Sequence, residues 1–180
     1  MNQIDSSLTL QQLAKLIQAT PKILRSQLEA LPEAVHSWRP EPGEWCINEV
    51  IGHMIEADRN GFDGRIRTIL AEGRPQLKAW QINETAARRN DCQRNAFDLV
   101  DELAAMRTRS AELIMSLKPE QLSRAGIHPT IGELVVIDLL HEWGHHDANH
   151  TRQILNNIRA FLWPKMGATQ KFFEPGKMPV

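Results

Sequence analysis

Hydrophobic residues recur at helical spacing along most of the chain. One long stripe, with steps that match successive turns of a helix, consists of Leu99, Leu103, Met106, Leu113 and Leu117. Strand signals are weak, because tyrosine is absent and the one β-branched cluster, Val135 to Ile137, lies within a helical pattern. The pattern therefore predicts an all-α fold.

The periodic segments, with their caps and prolines, predict helices over 8–19, 20–31, 47–70, 90–117 and 131–162. Thr20 and Pro21 are typical of an N-cap followed by a first-turn proline, so they predict a helix start. Thr130 with Glu133 fits a capping box, which predicts that the last helix begins at 131 or 133. Gly73 is a typical residue just past a helix end.

Four long amphipathic helices predict a four-helix bundle, with residues 1–163 as a single domain and 164–180 as a C-terminal tail. The connections 73–86 and 118–130 are longer than tight hairpins need. They permit crossover connections rather than a simple up-and-down bundle.

The amino-acid composition and net charge argue against several classes of function. The chain has 180 residues, 42% of them hydrophobic and 24% charged, with a formal net charge of -1. This balance lacks the basic excess of nucleic-acid-binding proteins, and no apolar run reaches the length of a membrane span. The N-terminal sequence has no secretion signal, and the two cysteines do not form a disulfide framework. We expect a cytoplasmic protein with reduced thiols.

Four of the seven histidines lie between positions 141 and 150 and form two pairs spaced four residues apart. Both pairs have the spacing to chelate an ion. In a helical projection His141 and His145 fall on the polar face, whereas His146 and His150 lie at the edge of the apolar face. The second pair therefore points toward the interior.

A third ligand is available on the second long helix, where His53 lies at the flank of the apolar face. Three histidines leave coordination positions open, as in catalytic metal sites. The alternative stays open that His53 is an ordinary, partly buried histidine with a hydrogen-bond partner. The pair His146 and His150 is by itself only a weak motif for metal binding. His36, His128, His141 and His145 are interpreted as surface or loop residues.

Two segments resemble the DinB/YfiT-like superfamily in its metal-binding branch: WRPEPGEWCINEVIGHMIEADR and HPTIGELVVIDLLHEWGHHDANHTRQI. The similarity extends from about Leu8 to Leu162. It implies a four-helix bundle that commonly dimerises. It also implies a divalent metal site made of His53, His146 and His150, the same three residues that the helical projection selects. Cys46 stands where the family often has a serine N-cap.

The resemblance implies two kinds of chemistry, transfer or isomerisation with a low-molecular-weight thiol, or metal-dependent hydrolysis of a small-molecule substrate. The expected ion is Zn²⁺ or Ni²⁺, with Fe or Mn as alternatives. The expected assembly is a homodimer, without nucleic-acid or membrane partners. The competing hypothesis is a non-catalytic, stress-related bundle that binds a metal or ligand, since the sequence carries no substrate signature.

Several other polar residues fall on apolar faces or near the histidines. Asp58 and Arg65 lie on the apolar face of the predicted helix 47–70, and Asp147 lies on that of the last helix. Because buried charges need partners, these residues predict a buried polar network between the two helices. Gln153 could orient a ligand, and Glu56 or Glu142 could be a fourth ligand or general base. Met54, Trp143 and the proline-rich loop 32–45 are predicted to form the pocket wall. Trp38 and Trp45 are predicted to attach this loop to the bundle, and Gly61 and Gly64 are predicted to permit close helix approach.

Overall fold

The computed structural model describes residues 8–79 and 82–173, and it is a helical bundle. The elements in chain order are α1 (Leu10–Glu29), α2 (Glu33–His36), α3 (Ile47–Glu56), a π-helical segment (Ala57–Phe62), α4 (Asp63–Glu72), α5 (Ile82–Arg89), α6 (Ala96–Ser116), α7 (Pro119–Leu122), β1 (Ala125–His128), β2 (Gly132–Val135) and α8 (Val136–Leu162). The four long members are α1, the continuous α3–α4 element, α6 and α8. The prediction of a four-helix bundle is confirmed.

The first and second long helices, α1 and α3–α4, lie diagonally across the bundle, and so do the third and fourth, α6 and α8. Helix α1 packs against α6 and α8, and α3 packs against the same two helices. The chain therefore crosses the bundle end through residues 30–46 and again through 117–135. The predicted crossover at 118–130 falls in the second of these. The segment 73–86, predicted as a connection, contains the start of α5 and leads toward neighbouring α6, and its residues 80 and 81 lie outside the described part.

Helix α1 is continuous where two shorter helices were predicted, over 8–19 and 20–31. Pro21 lacks the N–H that would bond the Ile17 carbonyl oxygen. Arg107 of α6 donates to that oxygen from Nη1 at 3.3 Å. Thr20 does not cap a helix, because its hydroxyl donates to Asp147 Oδ2 at 2.7 Å. The predicted break is wrong because contacts from other helices replace what the proline removes.

The predicted helix over 47–70 is present, but its centre is a π-helical turn between α3 and α4. Such a turn accommodates an extra residue and rotates everything after it relative to a regular helix. At Gly64 a Cβ would lie 2.1 Å from the Arg59 carbonyl oxygen. The close approach predicted there is thus to the same helix, not to a neighbour. Gly73, with φ +87°, ends α4 as predicted.

An antiparallel hairpin of β1 and β2 precedes α8, and the sequence did not predict it. Glu133 pairs with Ile127 in this hairpin, and Gly132, with φ +89°, begins β2 directly after the turn. The predicted capping box of Thr130 and Glu133 is therefore wrong, and Val135 is the N-cap of α8. Backbone hydrogen bonds from Ile127 to the chain after α4 attach the hairpin to the bundle.

Two apolar clusters fill the bundle, one toward each end. One combines the start of α1, α4, the end of α6 and the start of α8, and the other combines the end of α1, α3 and the start of α6. Two 3₁₀ turns follow α8: residues 163–165, which span the predicted domain boundary, and 167–172, which lie in the predicted tail; 174–180 lie outside the described residues. Among the described helices, none is both long and apolar enough to cross a bilayer.

Candidate metal centre

The structure brings His53, His146 and His150 together between α3 and α8. The Nε2 atoms of His53 and His146 are 3.1 Å apart. One ring nitrogen from each of the three histidines lies within 4.8 Å of the other two. His53 occupies the last turn of α3, and the other two follow each other by one turn of α8. Their predicted convergence is thus observed, while their binding of a metal remains a prediction.

Burial favours the neutral form of all three rings. Burial lowers the pKa of His53 to about 4, with a smaller contribution from His150. Burial also lowers the pKa of His146 to about 2, assisted by repulsion from His150 and His53. The pKa of His150 is lowered by burial, and its hydrogen bond to Gln153 opposes this shift. Neutral imidazole is the form that coordinates a cation.

Gln153 fixes the tautomer of His150. Its Oε1 lies 2.8 Å from His150 Nδ1. Since an amide oxygen can only accept, Nδ1 carries the proton and Nε2 keeps its lone pair. The sequence-based suggestion that Gln153 orients a ligand agrees with this contact.

A buried ionic network lies under the histidines and joins all four helices. Arg107 of α6 donates to Asp58 through Nε at 2.5 Å and to Asp147 through Nη1 and Nη2 at 2.5 and 2.7 Å. Asp147 of α8 also accepts from the Thr20 hydroxyl of α1. Burial raises the pKa of Asp58 to about 7, against the opposing effect of Arg107. The predicted polar network between the second and fourth long helices, α3–α4 and α8, is confirmed. The sequence did not identify Arg107 as its centre.

Trp143 belongs to this network rather than to the pocket wall predicted for it. Its side chain is 0% exposed, and Nε1 donates to Asp58 Oδ1 at 2.8 Å. Phe62 stacks on Trp143 with ring centroids 5.2 Å apart, and it makes a T-shaped contact with His146 with ring centroids 5.1 Å apart. Met54, also predicted in the wall, is fully buried. The network thus supports the histidine site through aromatic packing.

The histidines form part of the wall of a cavity of about 420 Å³. The lining side chains are Trp45, His53, Ala57, Gly61, Phe62, Arg65, Glu142, His146 and His150. Trp45 packs on His53 with ring centroids 5.1 Å apart, and its carbonyl oxygen accepts from Asn157 Nδ2 at 2.8 Å. Trp38 packs on Phe161. The predicted attachment of the 32–45 loop to the bundle is confirmed.

Arg65 lines the cavity and does not join the buried network, which corrects its predicted position. Its Nε is buried and has no hydrogen-bond partner among the described residues. Burial lowers the pKa of this guanidinium, and the charge of Glu142 opposes that shift. The projection misplaced Arg65 because it assumed a regular helix through the π segment. The site therefore carries a half-buried cation beside its histidines.

Of the two glutamates considered as bases, one lies at the cavity. Glu142 is on its wall and solvent-exposed. Glu56 is engaged elsewhere: it accepts from Arg89 Nη1 and Asn60 Nδ2, each at 2.9 Å, and pairs with Arg59. Its carboxylate is thereby committed to a salt-bridge cluster away from the cavity lining.

The remaining histidines are not in the site. His141 and His145 are exposed on α8, as predicted. His36 and His128 are buried, which differs from the predicted surface or loop setting. The His36 Nε2 is 3.2 Å from the Leu28 carbonyl oxygen, and His128 Nδ1 accepts from backbone N–H groups of the hairpin turn. Their contacts are structural.

The donor set fits a divalent ion. Two nitrogens bound to one tetrahedral zinc at about 2.0–2.1 Å lie about 3.3 Å from each other, close to the His53–His146 separation. The ring of His146 also has a buried Nδ1 without a hydrogen-bond partner among the described residues. Hydrogen bonding at Nδ1 therefore does not explain the orientation of the His146 ring. A cation bound at Nε2 would explain this orientation.

The family model described as the DinB superfamily matches residues 16–154 of the chain. The matched stretch includes all three histidines of the site. A search of curated protein sequences finds no significant match.

Solved structures share the fold at low sequence identity. YfiT from Bacillus subtilis, described as a probable metal-dependent hydrolase with an unusual four-helix bundle topology, has a TM-score of 0.79 and 17% identity over 91% of this chain and 94% of its own. An uncharacterized protein from Clostridium difficile 630 has a TM-score of 0.61 and 12% identity, and the match covers 90% of this chain and 99% of its own. TT2238, a four-helix bundle protein, has a TM-score of 0.51 and 21% identity, and the match covers 82% of this chain and 99% of its own.

Proposed function

The chain belongs to the DinB superfamily, and on that premise we propose that it is a metal-dependent enzyme acting on a small molecule. His53, His146 and His150 would hold the divalent ion. The observation that carries the proposal is the meeting of three neutral imidazoles at a cavity of about 420 Å³, large enough for a small substrate.

An ion held by three imidazoles keeps coordination positions for water or substrate, and it makes a bound water or thiol more acidic. Imidazole ligands suit Zn²⁺ and Ni²⁺, which are the ions we propose first, with Fe or Mn as alternatives. The chain's own contribution is to keep the rings neutral by burial and to fix the His150 tautomer through Gln153.

The cavity supports a substrate that carries an anionic group. Arg65 lines the cavity and brings a half-buried guanidinium to its wall. A carboxylate or similar anion would satisfy this donor with a charge-assisted hydrogen bond. Trp45 and Phe62 supply apolar wall beside it. We therefore assign the substrate to small molecules with a carboxylate or related group near the reacting centre.

The reaction is a thiol-dependent transfer or a hydrolysis. The description of YfiT as a probable metal-dependent hydrolase supports hydrolysis, and the superfamily resemblance supports both reactions. Glu142, on the cavity wall, is the candidate general base, since Glu56 is committed to arginines elsewhere. Homodimerisation and the low-molecular-weight thiol partner stay predictions, which sedimentation and the thiol dependence of turnover would test.

The test is turnover by the purified chain loaded with Zn²⁺ or Ni²⁺. We expect either transfer of a low-molecular-weight thiol to carboxylate-bearing electrophiles or hydrolysis of carboxylate-bearing amides and esters. Chelation and His146→Ala should each abolish it. If metal content is verified and both substrate panels remain unconverted, the non-catalytic metal-binding bundle becomes the better account.

A further inference from the structure

The two cysteines of the chain face each other although they are 46 residues apart. Their Sγ atoms lie 2.6 Å from one another, and both are free thiols. Cys46 is the N-cap of α3 and is 0% exposed. Cys92 lies in the 3₁₀ turn Asp91–Gln93 and is partly exposed. A buried thiol is thus covered by one that solvent can reach.

The Cys46 side of the pair is held by the start of α3. Its backbone N–H donates to Glu49 Oε2 at 2.9 Å. The other carboxylate oxygen of Glu49 accepts from Arg39 Nη2 at 2.6 Å. This capping arrangement fixes the backbone from which the Cys46 sulfur projects.

The Cys92 side is held by its neighbour Asp91. The Asp91 carboxylate accepts from Arg89 Nε at 2.5 Å and from Arg94 Nη1 at 3.0 Å. It also packs so closely on α3 that a Cβ at Gly52 would lie 1.8 Å from Asp91 Oδ2. The turn that carries Cys92 is therefore pressed onto the helix that carries Cys46.

We propose that Cys46 and Cys92 are a redox modification site that forms a reversible intramolecular disulfide when a peroxide oxidises the protein. The two thiols together lose two electrons and two protons, and the peroxide O–O bond takes them up. With hydrogen peroxide the products are one disulfide and two water molecules. The pair is separate from the histidine cavity, so this proposal does not depend on the function proposed there.

The order of events follows from exposure. Cys92 is the thiol that peroxide can reach, and attack of its sulfur on the peroxide gives a sulfenic acid and the first water. Cys46 Sγ then attacks the Cys92 sulfur, the S–O bond breaks, and the departing hydroxide takes up the Cys46 proton as the second water. Burial raises the pKa of Cys46, which is consistent with Cys46 acting second, at short range. Excess small-molecule thiol reverses the bond by exchange.

The disulfide would close a loop from 46 to 92 that contains His53 and the π segment. Cross-linking a loop of this length restricts the unfolded chain, so the oxidised protein should melt at a higher temperature. We expect an increase on the order of 5 °C over the reduced protein.

The experiment is a titration of the reduced, purified chain with hydrogen peroxide in the presence of chelator. Two alkylatable thiols should fall to none at about one equivalent of peroxide. The intact mass should drop by two hydrogen atoms, and a Cys46–Cys92 peptide pair should appear. A small-molecule thiol should restore both thiols and the lower melting temperature.

Single substitutions separate the two roles. Cys46→Ser should fold, because serine is a good N-cap, and its Cys92 should accumulate a sulfenic acid that a carbon nucleophile traps. Cys92→Ser should leave Cys46 unoxidised at the same peroxide dose. Formation of cross-linked dimers or of Cys92 sulfinic acid in the wild-type protein, without the internal disulfide, would overturn the proposal.

A metal site at the same place is the competing outcome, since Cys46, Glu49 and Cys92 also offer ligand atoms within 4.8 Å of one another. If His146→Ala still binds Zn²⁺ tightly and loses it on Cys92→Ser, the thiols hold an ion and the redox proposal fails. Zinc content that is indifferent to Cys92→Ser supports the disulfide.

Discussion

His150 Nδ1 and Gln153 Oε1 lie 2.8 Å apart within one turn of α8, and this contact directs the His150 lone pair to the other ring nitrogen. The ring therefore presents Nε2, and the partner that sets this choice lies on the same helix. An outer-shell amide of this kind fixes both the tautomer and the orientation of a ligand.

Replacing Gln153 with leucine should weaken metal binding about 10–100-fold, because His150 would lose its orienting acceptor. Competition with a chelator of known affinity measures this change in Kd. Gln153→Glu keeps an oxygen acceptor and should retain most of the affinity. An unchanged Kd in the leucine variant would show that the hydrogen bond does not support a ligand.

Arg107→Met should lower the free energy of unfolding by about 3–5 kcal/mol, because Asp58 and Asp147 would be left buried without their cation. Urea denaturation measures the loss. Arg107→Lys should lose less, and it provides a readout if the methionine variant does not fold.

The matched control is Arg25→Met, which removes an exposed ion pair that α6 makes with α1, Arg25 with Asp101. Exposed pairs contribute about 0–1 kcal/mol, so this variant should stay close to the wild type. Equal losses at Arg25 and Arg107 would contradict the central role of the buried network.

Arg65→Met should reduce kcat/KM for carboxylate-bearing substrates about 10–100-fold, since a hydrogen bond to a charged group contributes about 1.5–3 kcal/mol. Uncharged analogues should be affected much less. Arg67→Met is the control, because Arg67 lies on the same helix but pairs with Asp63 at the surface. A uniform loss for charged and uncharged substrates would argue against anion recognition by Arg65.

The metal-free protein should become less stable as the pH falls below about 6.5. The folded-state pKa values of His53 and His146, about 4 and about 2, lie below the ordinary histidine value. The unfolded chain therefore binds more protons than the folded chain in this range, and stability decreases as pH is lowered through it. Urea midpoints measured with chelator between about pH 7.5 and 4.5 test this.

The comparison for this pH effect is between His146→Gln and His141→Gln. The first removes a partly buried ring and should flatten the pH dependence, whereas the second removes an exposed ring on the same helix and should leave it unchanged. Identical pH profiles for both variants and the wild type would contradict the assigned protonation states.

Amphipathic periodicity was sufficient to predict the bundle and to choose His146 and His150 over His141 and His145. That inference works because α8 is regular over its whole length, so a fixed angle per residue holds. His53 was also placed well, since it lies in α3 before the irregular turn.

The incorrect predictions concern places where distant contacts or irregular backbone decide the structure. Pro21 continues a helix only because Arg107 supplies a donor from another helix. Arg65 reaches the cavity only because a π turn precedes it. The β1–β2 hairpin was missed because its short strands depend on pairing with each other and with the chain after α4.

The most direct measurement is the metal content of untagged protein, determined by elemental mass spectrometry for the wild type and two variants. The account predicts one divalent ion per chain in the wild type, its loss in a folded His146→Ala variant, and its retention when His141 and His145 are both replaced by alanine. An ion content that survives His146→Ala, or that disappears with the 141/145 pair, would contradict it.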